Sequence, residues 1–368
     1  MKWFRNKHAQ AASEPDGILN RIWECFCQNQ DEEAAKLIQE LEGLHLSDPQ
    51  RCILRVYRGW LAYRKGVWEE AEQNAHWVLD QCQDRYSLGK AYQLIGACAL
   101  DRYKHCEDDD EETTLRLLGT VVEACNQALV LLGSHRDALL VYIPMAMALV
   151  YQGNLEEAIV LLKHAIDKAS HPSPEKGWLL ATLGEIFILD KNDWEAGRPY
   201  LEEAAKILDP VSQTHAWVHV RLAEGYIQEE GNYAKARVHG RKAVELAAKD
   251  PQVQAWVRFG AHFRYALALH YGEYDYKEAE RQYKKALQVA ETESDAEAQR
   301  KVLAYLGNLY ARQKRYRASL RVLKDALKVC GEDEPESWKL HWSLGSVLSN
   351  MGKHREGAEH YRRAIAML

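Results

Sequence analysis

Leu306-Gly307-Asn308-Leu309-Tyr310, a polar turn at Gln313-Lys314-Arg315, and Leu323-Lys324-Asp325-Ala326 form a single phrase of this chain. A small residue sits in one apolar helical segment, and a large residue and an alanine sit in the next. Outward from it, alanines closing the second segment recur at Ala165, Ala204, Ala243, Ala286, Ala326 and Ala364, at intervals of 39, 39, 43, 40 and 38 residues. A fixed period of this size predicts stacked supersecondary units rather than one globular core.

The first segment repeats as Leu183-Gly184-Glu-Ile-Phe187 and Leu344-Gly345-Ser-Val-Leu348, with turns at 191–193 and 351–353. Glycine inside a helix costs about 1 kcal/mol relative to alanine, so Gly59, Gly96, Gly184, Gly307 and Gly345 are expected where two helix axes approach closely. Leu162, Tyr283, Leu323 and Tyr361 in the second helices are expected to fill the groove beside them. These residues resemble the tetratricopeptide repeat, which sets an aromatic, a Leu-Gly pair and a Tyr in one helix against Ala, aromatic and Ala in its partner. The resemblance implies an all-α fold, a right-handed superhelical solenoid of about nine helix hairpins.

Along the chain the units begin near residues 15, 52, 89, 139, 177, 215, 259, 300 and 338, giving a single solenoid over 15–368 after a flexible 1–14. The spacing, nearer 40 than the family's 34 or so, is typical of relatives that act as ligand sensors in bacterial regulators. The third unit carries an insertion from Tyr103 to about Thr114, with an acidic run over 107–112 expected to be a solvated loop. Most prolines mark helix starts or stops. Pro144, inside an apolar first helix, is expected to kink it or to sit in its first turn.

The chain has 368 residues, with 48 Lys and Arg against 54 Asp and Glu, and a formal charge of −6. That balance provides no general attraction for nucleic acid or an anionic membrane. The opening Met1-Lys-Trp-Phe-Arg-Asn-Lys-His8 runs straight into polar sequence, so no export signal is read and a cytoplasmic protein is expected. The eight cysteines show no paired metal spacing and are expected to be reduced, small and apolar. His215 and His219 stand at i and i+4, but no third ligand accompanies them. No phosphate loop, nucleophile elbow or zinc-protease motif occurs. No catalytic residue, metal or cofactor is expected, and the chain is read as non-enzymatic.

In the repeat family the first helix of each hairpin lines the inside of the superhelix. Transferred to this chain, its reading positions select a set rich in aromatics and arginines. The expected groove comprises Trp60, Tyr63, Arg64, Trp178, Trp217, Arg221, Glu224, Phe263, Arg264, His270, Tyr305, Asn308, Arg312, Lys339 and Trp342, with Trp23, Phe26, Tyr57, Gln93, Met147, Tyr151 and Glu185 beside them. Trp, Tyr and Arg offer large faces with little entropy to lose and a polar tip to orient a ligand. Against this, repeats of this family also use such aromatics simply to pack hairpin on hairpin.

Three functions are weighed. The first is a scaffold or adaptor that holds a peptide or protein segment in the groove. The second is a signal-peptide-responsive regulator, and the third an RNA binder that stacks bases on the same rings. A carboxylate clamp for chaperone tails is rejected: Asn308 and Lys339 suit it, but Ala304 and Ser343 occupy other clamp positions. The apolar final residues Ile365 and Leu368 add the expectation of a homodimer through the C-terminal repeat.

Overall fold

In a computed structural model, residues 15–28, 30–106, 111–169, 171–208, 213–249, 253–330 and 337–368 are described. They form eighteen α-helices, with no strand among the described residues. Two compact units divide the chain, Met1–Ser212 and Gln213–Leu368. The expected flexible 1–14 lies outside the described residues.

Unit 1 contains α1 (Pro15–Cys27), α2 (Asp31–Glu42), α3 (Asp48–Arg64), α4 (Trp68–Gln81), α5 (Arg85–Lys104), α6 (Glu111–Leu132), α7 (Ala138–Tyr151), α8 (Leu155–Lys168), α9 (Pro174–Leu189) and α10 (Trp194–Ile207). Unit 2 contains α11 (Gln213–Gln228), α12 (Tyr233–Ala247), α13 (Ala255–Tyr271), α14 (Tyr276–Thr292), α15 (Ala296–Arg312), α16 (Tyr316–Cys330), α17 (Trp338–Asn350) and α18 (His354–Ala366). Each odd-numbered helix packs on the even-numbered helix that follows it, giving five hairpins in unit 1 and four in unit 2.

The small-against-large rule holds at atomic distance. A Cβ on Gly307 would fall 2.6 Å from Leu323, and one on Gly345 would fall 2.9 Å from the Tyr361 ring. No side chain fits there unless the neighbour moves, so the two glycines set the closeness of their hairpins. Ala165, Ala204, Ala243, Ala286, Ala326 and Ala364 are all fully buried at the same crossings. The turns within hairpins place one residue each in the left-handed region, as at Gly66, Asn192, Lys314 and Gly352. Asp84, Asp193, Asn232, Asp275 and Asp295 then cap the following helices through backbone N–H groups.

Three expectations change. Cys52 and Cys82 are joined by a disulfide across the hairpin of α3 and α4, whereas Cys25, Cys27, Cys98, Cys106 and Cys125 are free thiols. Two cysteines whose Cα atoms the hairpin holds 6.2 Å apart meet bonding geometry, which spacing along the chain does not reveal. Of the two alternatives for Pro144, the first turn is ruled out, because it lies in the middle of α7, and Pro199 is a second proline inside a helix, α10. The acidic insertion is shorter than expected, because Glu111 and Glu112 already form the first turn of α6, where carboxylates favour the helix dipole; residues 107–110 lie outside the described residues. Separately from these, α6 is long and apolar enough to cross a membrane by length and composition, yet Leu118, Val121, Cys125 and Ala128 are buried within unit 1.

Candidate functional site

The first helices of unit 1 repeat their inward residues every three or four positions, so that those residues share one face. On α1 these are Trp23, Phe26 and Cys27, and on α3 Trp60, Tyr63 and Arg64; α5 adds Gln93, Leu100 and Asp101, α7 adds Leu140, Ile143 and Met147, and α9 adds Trp178. Together they line a groove of about 340 Å³. Its aromatic wall is continuous: Trp23 meets Trp60 edge-on at 6.1 Å, and Trp60 meets Tyr63 edge-on at 5.4 Å. Tyr57 stacks behind Trp23 at 6.1 Å. Four of the expected groove residues, Trp60, Tyr63, Arg64 and Trp178, are thus brought together with Trp23, Phe26, Gln93 and Met147.

The charges at this groove are matched within the protein. Arg64 Nε lies 2.5 Å from Asp31, and Lys104 lies 3.5 Å from Asp101. Burial and the Asp101 carboxylate push the Tyr63 hydroxyl pKa up, so the phenol stays neutral. Several neutral polar atoms are not matched. The indole Nε1 atoms of Trp23, Trp60 and Trp178 donate no hydrogen bond, and Gln93 Oε1 accepts none.

Behind the wall lies a buried ion pair that sequence reasoning missed. Lys90 on α5 is fully buried, with its Nζ 3.2 Å from the centre of the Trp23 ring and 3.1 Å from Asp137. Tyr86 donates to the same Asp137 at 2.8 Å. Desolvation lowers the ammonium to about 8, against the opposing pull of Asp137. Burial raises the Asp137 pKa, but Lys90 and Tyr86 more than offset this and hold it below the usual range. The available signal was a lysine at Gly89-Lys90-Ala91, amid small residues on the packed face of a helix. A second cavity of about 730 Å³ is also lined by Trp23, with Tyr57, Tyr86 and Asp137 among others.

Unit 2 distributes the remaining expected residues differently. Arg221 reaches Glu224 at 2.8 Å, and Arg264, from the next hairpin, binds the other oxygen of that carboxylate. Trp217 lies beside Arg221 at 6.0 Å. Arg312 pairs with Glu273 at 3.4 Å and covers the Tyr271 ring. The arginines expected to meet a ligand's carboxylates therefore meet carboxylates of their own chain. Phe263 and His270 are fully buried and belong to the packing rather than to an open face. Tyr305 covers Phe263 edge-on at 5.3 Å, and Tyr283 lies 3.2 Å from His270 Nδ1. Asn308 is half-buried, Lys339 is exposed, and Trp342 is half-exposed with its ring edge-on to Tyr361.

The two histidines at i and i+4 also have a structural setting: His219 Nδ1 lies 2.8 Å from His239 Nδ1, and the His215 ring is tilted against that of His219 at 5.0 Å. Among the described residues no three His, Cys, Asp or Glu side chains are grouped to hold a metal ion.

Residues 301–332, which span most of the hairpin of α15 and α16, match the family model described as Tetratricopeptide repeat. No curated protein matches the chain in sequence. Among solved structures, the chain is similar to the apo form of the quorum sensor NprR from B. thuringiensis, with a TM-score of 0.53 and 14% identity over 97% of this chain and 99% of that one. It also resembles the Cut9-Hcn1 hetero-tetramer of the APC/C (TM-score 0.45, 12% identity, 98% and 82% covered). A third likeness is to the C-terminal part of a TPR repeat-containing protein from Cytophaga hutchinsonii (TM-score 0.47, 14% identity, 74% and 94% covered).

Proposed function

We propose that the chain, which has the tetratricopeptide-repeat fold and matches that family's model over residues 301–332, is a non-enzymatic scaffold whose unit 1 holds a peptide or protein segment in the groove formed by α1, α3, α5, α7 and α9. The observation that carries this reading is a groove of about 340 Å³ lined by the rings of Trp23, Trp60, Tyr63 and Trp178 together with aliphatic Leu140, Ile143 and Met147. A cleft of that size with few polar groups suits a side chain rather than a folded surface. Aromatic anchors of this kind supply most of the energy in such contacts, and micromolar affinity requires only about 8 kcal/mol. A cytoplasmic setting remains part of the proposal; the Cys52–Cys82 bond is the feature at odds with it, since cytosolic thiols are kept reduced.

A second reading, a signal-peptide-responsive regulator, draws on the likeness to a quorum sensor over nearly the whole of both chains, which is a likeness of fold alone. The RNA reading draws less support, because its arginines are already ion-paired. A peptide-display library selected on the purified protein tests the scaffold reading. Met147→Glu, which places a charge among the aliphatic residues, should abolish recovery of the selected peptides with unchanged helicity. Peptides that bind Met147→Glu as well as the parent would place recognition elsewhere.

A further inference from the structure

The unmatched atoms of the unit 1 groove specify more than an apolar slot. Gln93 is 4% exposed and lines the groove, yet its Oε1 accepts no hydrogen bond. Trp23, Trp60 and Trp178 line the same groove, and the buried Nε1 of each donates none. A buried polar atom without a partner costs about 1–3 kcal/mol, so four in one groove are a considerable penalty in the free protein. All four are neutral. The charged groups at the rim, Arg64 and Lys104, have carboxylate partners in Asp31 and Asp101.

We propose, resting on the reading of this groove as a segment-binding site, that its ligand group is an uncharged amide carried next to a branched aliphatic side chain. An amide presents a carbonyl to an indole N–H and an N–H to the Gln93 oxygen, so it satisfies donors and an acceptor together. A carboxylate would satisfy the indoles but face the lone pairs of Gln93 Oε1, and an ammonium would do the reverse. Either ion would also lose its hydration without gaining a counter-charge, because those of the groove are already engaged. The aliphatic side chain then lies against Ile143 and Met147. Trp60 and Trp178 act as donors that orient the amide, and Gln93 acts as its acceptor.

Three small probes share one branched aliphatic chain and differ in the head group: 4-methylpentanamide is a neutral amide, 4-methylpentanoate is an anion, and 4-methylpentylammonium is a cation at pH 7. Each is titrated into the full chain labelled with ¹⁵N at its indoles, with the Trp60 and Trp178 signals assigned from Trp60→Phe and Trp178→Phe. The neutral probe should shift both signals and bind at least about tenfold more tightly than either ion, the factor that one lost hydrogen bond commands. Gln93→Leu removes the unmatched acceptor and should raise the melting temperature of the free protein while weakening the neutral probe about tenfold. If either ion binds as tightly as the amide at these indoles, the chemical class is wrong and the groove reading survives. If no probe moves the Trp60 or Trp178 signal, both fail. A Gln93→Leu protein that binds the amide unchanged also overturns the assignment.

Discussion

Units 1 and 2 are built from the same hairpin, but they treat buried polarity in opposite ways. In unit 1 the inner face is apolar and aromatic, and the strongest charge, Lys90, is sealed behind Trp23 against Asp137. Unit 2 leaves its charges half-buried on the inner face, as in Arg221, Glu224 and Arg264, and places histidines inside its hairpins. His219 meets His239, His262 meets Gln282, and His341 meets His360, each across one hairpin at nearly the same level. One repeat thus tolerates two interiors, and the difference is chemical rather than topological. The unit 1 groove leaves neutral indole and amide atoms without partners, while unit 2 pairs Arg221, Arg264 and Arg312 with carboxylates of its own.

The largest expected effect comes from the sealed ion pair. Asp137→Ala leaves an ammonium in a fully buried place, and breaking such a pair costs about 3–5 kcal/mol. Hydrogen exchange should show lost protection through α5 and α7, with unit 2 unaffected. Lys90→Met combined with Asp137→Asn removes both charges at similar volume and should recover most of the loss. If Asp137→Ala were as stable as the parent, Lys90 would not be charged in the fold, and the contrast between the units would weaken.

Acid should separate the units in the other direction. Burial and the neighbouring His239, His215 and Lys242 depress the His219 pKa to about 3, and burial with Arg312 depresses that of His270 to about 4. Both lie below the ordinary value near 6.5, so the folded state favours the neutral ring. Their stabilising contribution is complete above pH 6.5 and is lost as pH falls toward the folded values. By linkage each is worth on the order of 2 kcal/mol between pH 7 and pH 5. Asp137, depressed below the ordinary carboxylate range, loses its contribution only in stronger acid. Hydrogen exchange at pH 7 and pH 5 should therefore reveal loosening of α11 to α14 while α5 and α7 stay protected. Simultaneous loosening of both units would show that the histidine pairs do not govern acid stability.

The hairpins were legible in the residues because close helix crossings demand a small side chain opposite a large one, and Gly307 with Leu323 or Gly345 with Tyr361 repeats that demand at a readable period. Trp60, Tyr63 and Trp178 were legible for a related reason, since residues three or four apart share a helix face. Burial was not legible from residue type. Phe263 and Trp60 are both aromatic residues of a first helix, yet Tyr305 from the following hairpin covers Phe263, leaving it fully buried, while Trp60 lines the groove. The pairing of charges was hidden by distance along the chain. Glu224 and Arg264 lie 40 residues apart, and Lys90 and Asp137 47 residues apart, so neither pair shows in any local pattern.

The smallest effect tests whether unit 2 is closed to ligands by its own carboxylates. Glu224 is the shared partner of Arg221 and Arg264, and all three side chains are less than one-fifth exposed. Glu224→Gln keeps the shape and a carbonyl acceptor but removes the charge between two guanidinium groups. The cost should be about 1–2 kcal/mol, less than for the sealed pair because water still reaches the arginines. Added salt should recover part of it by screening the exposed repulsion. The variant should also gain weak binding of an acidic peptide that the parent does not bind, because guanidinium groups without their carboxylate favour a bidentate anion. If Glu224→Gln binds no acidic peptide, internal pairing is not what distinguishes the inner face of unit 2 from that of unit 1, and the difference must then lie in the shape of the two faces.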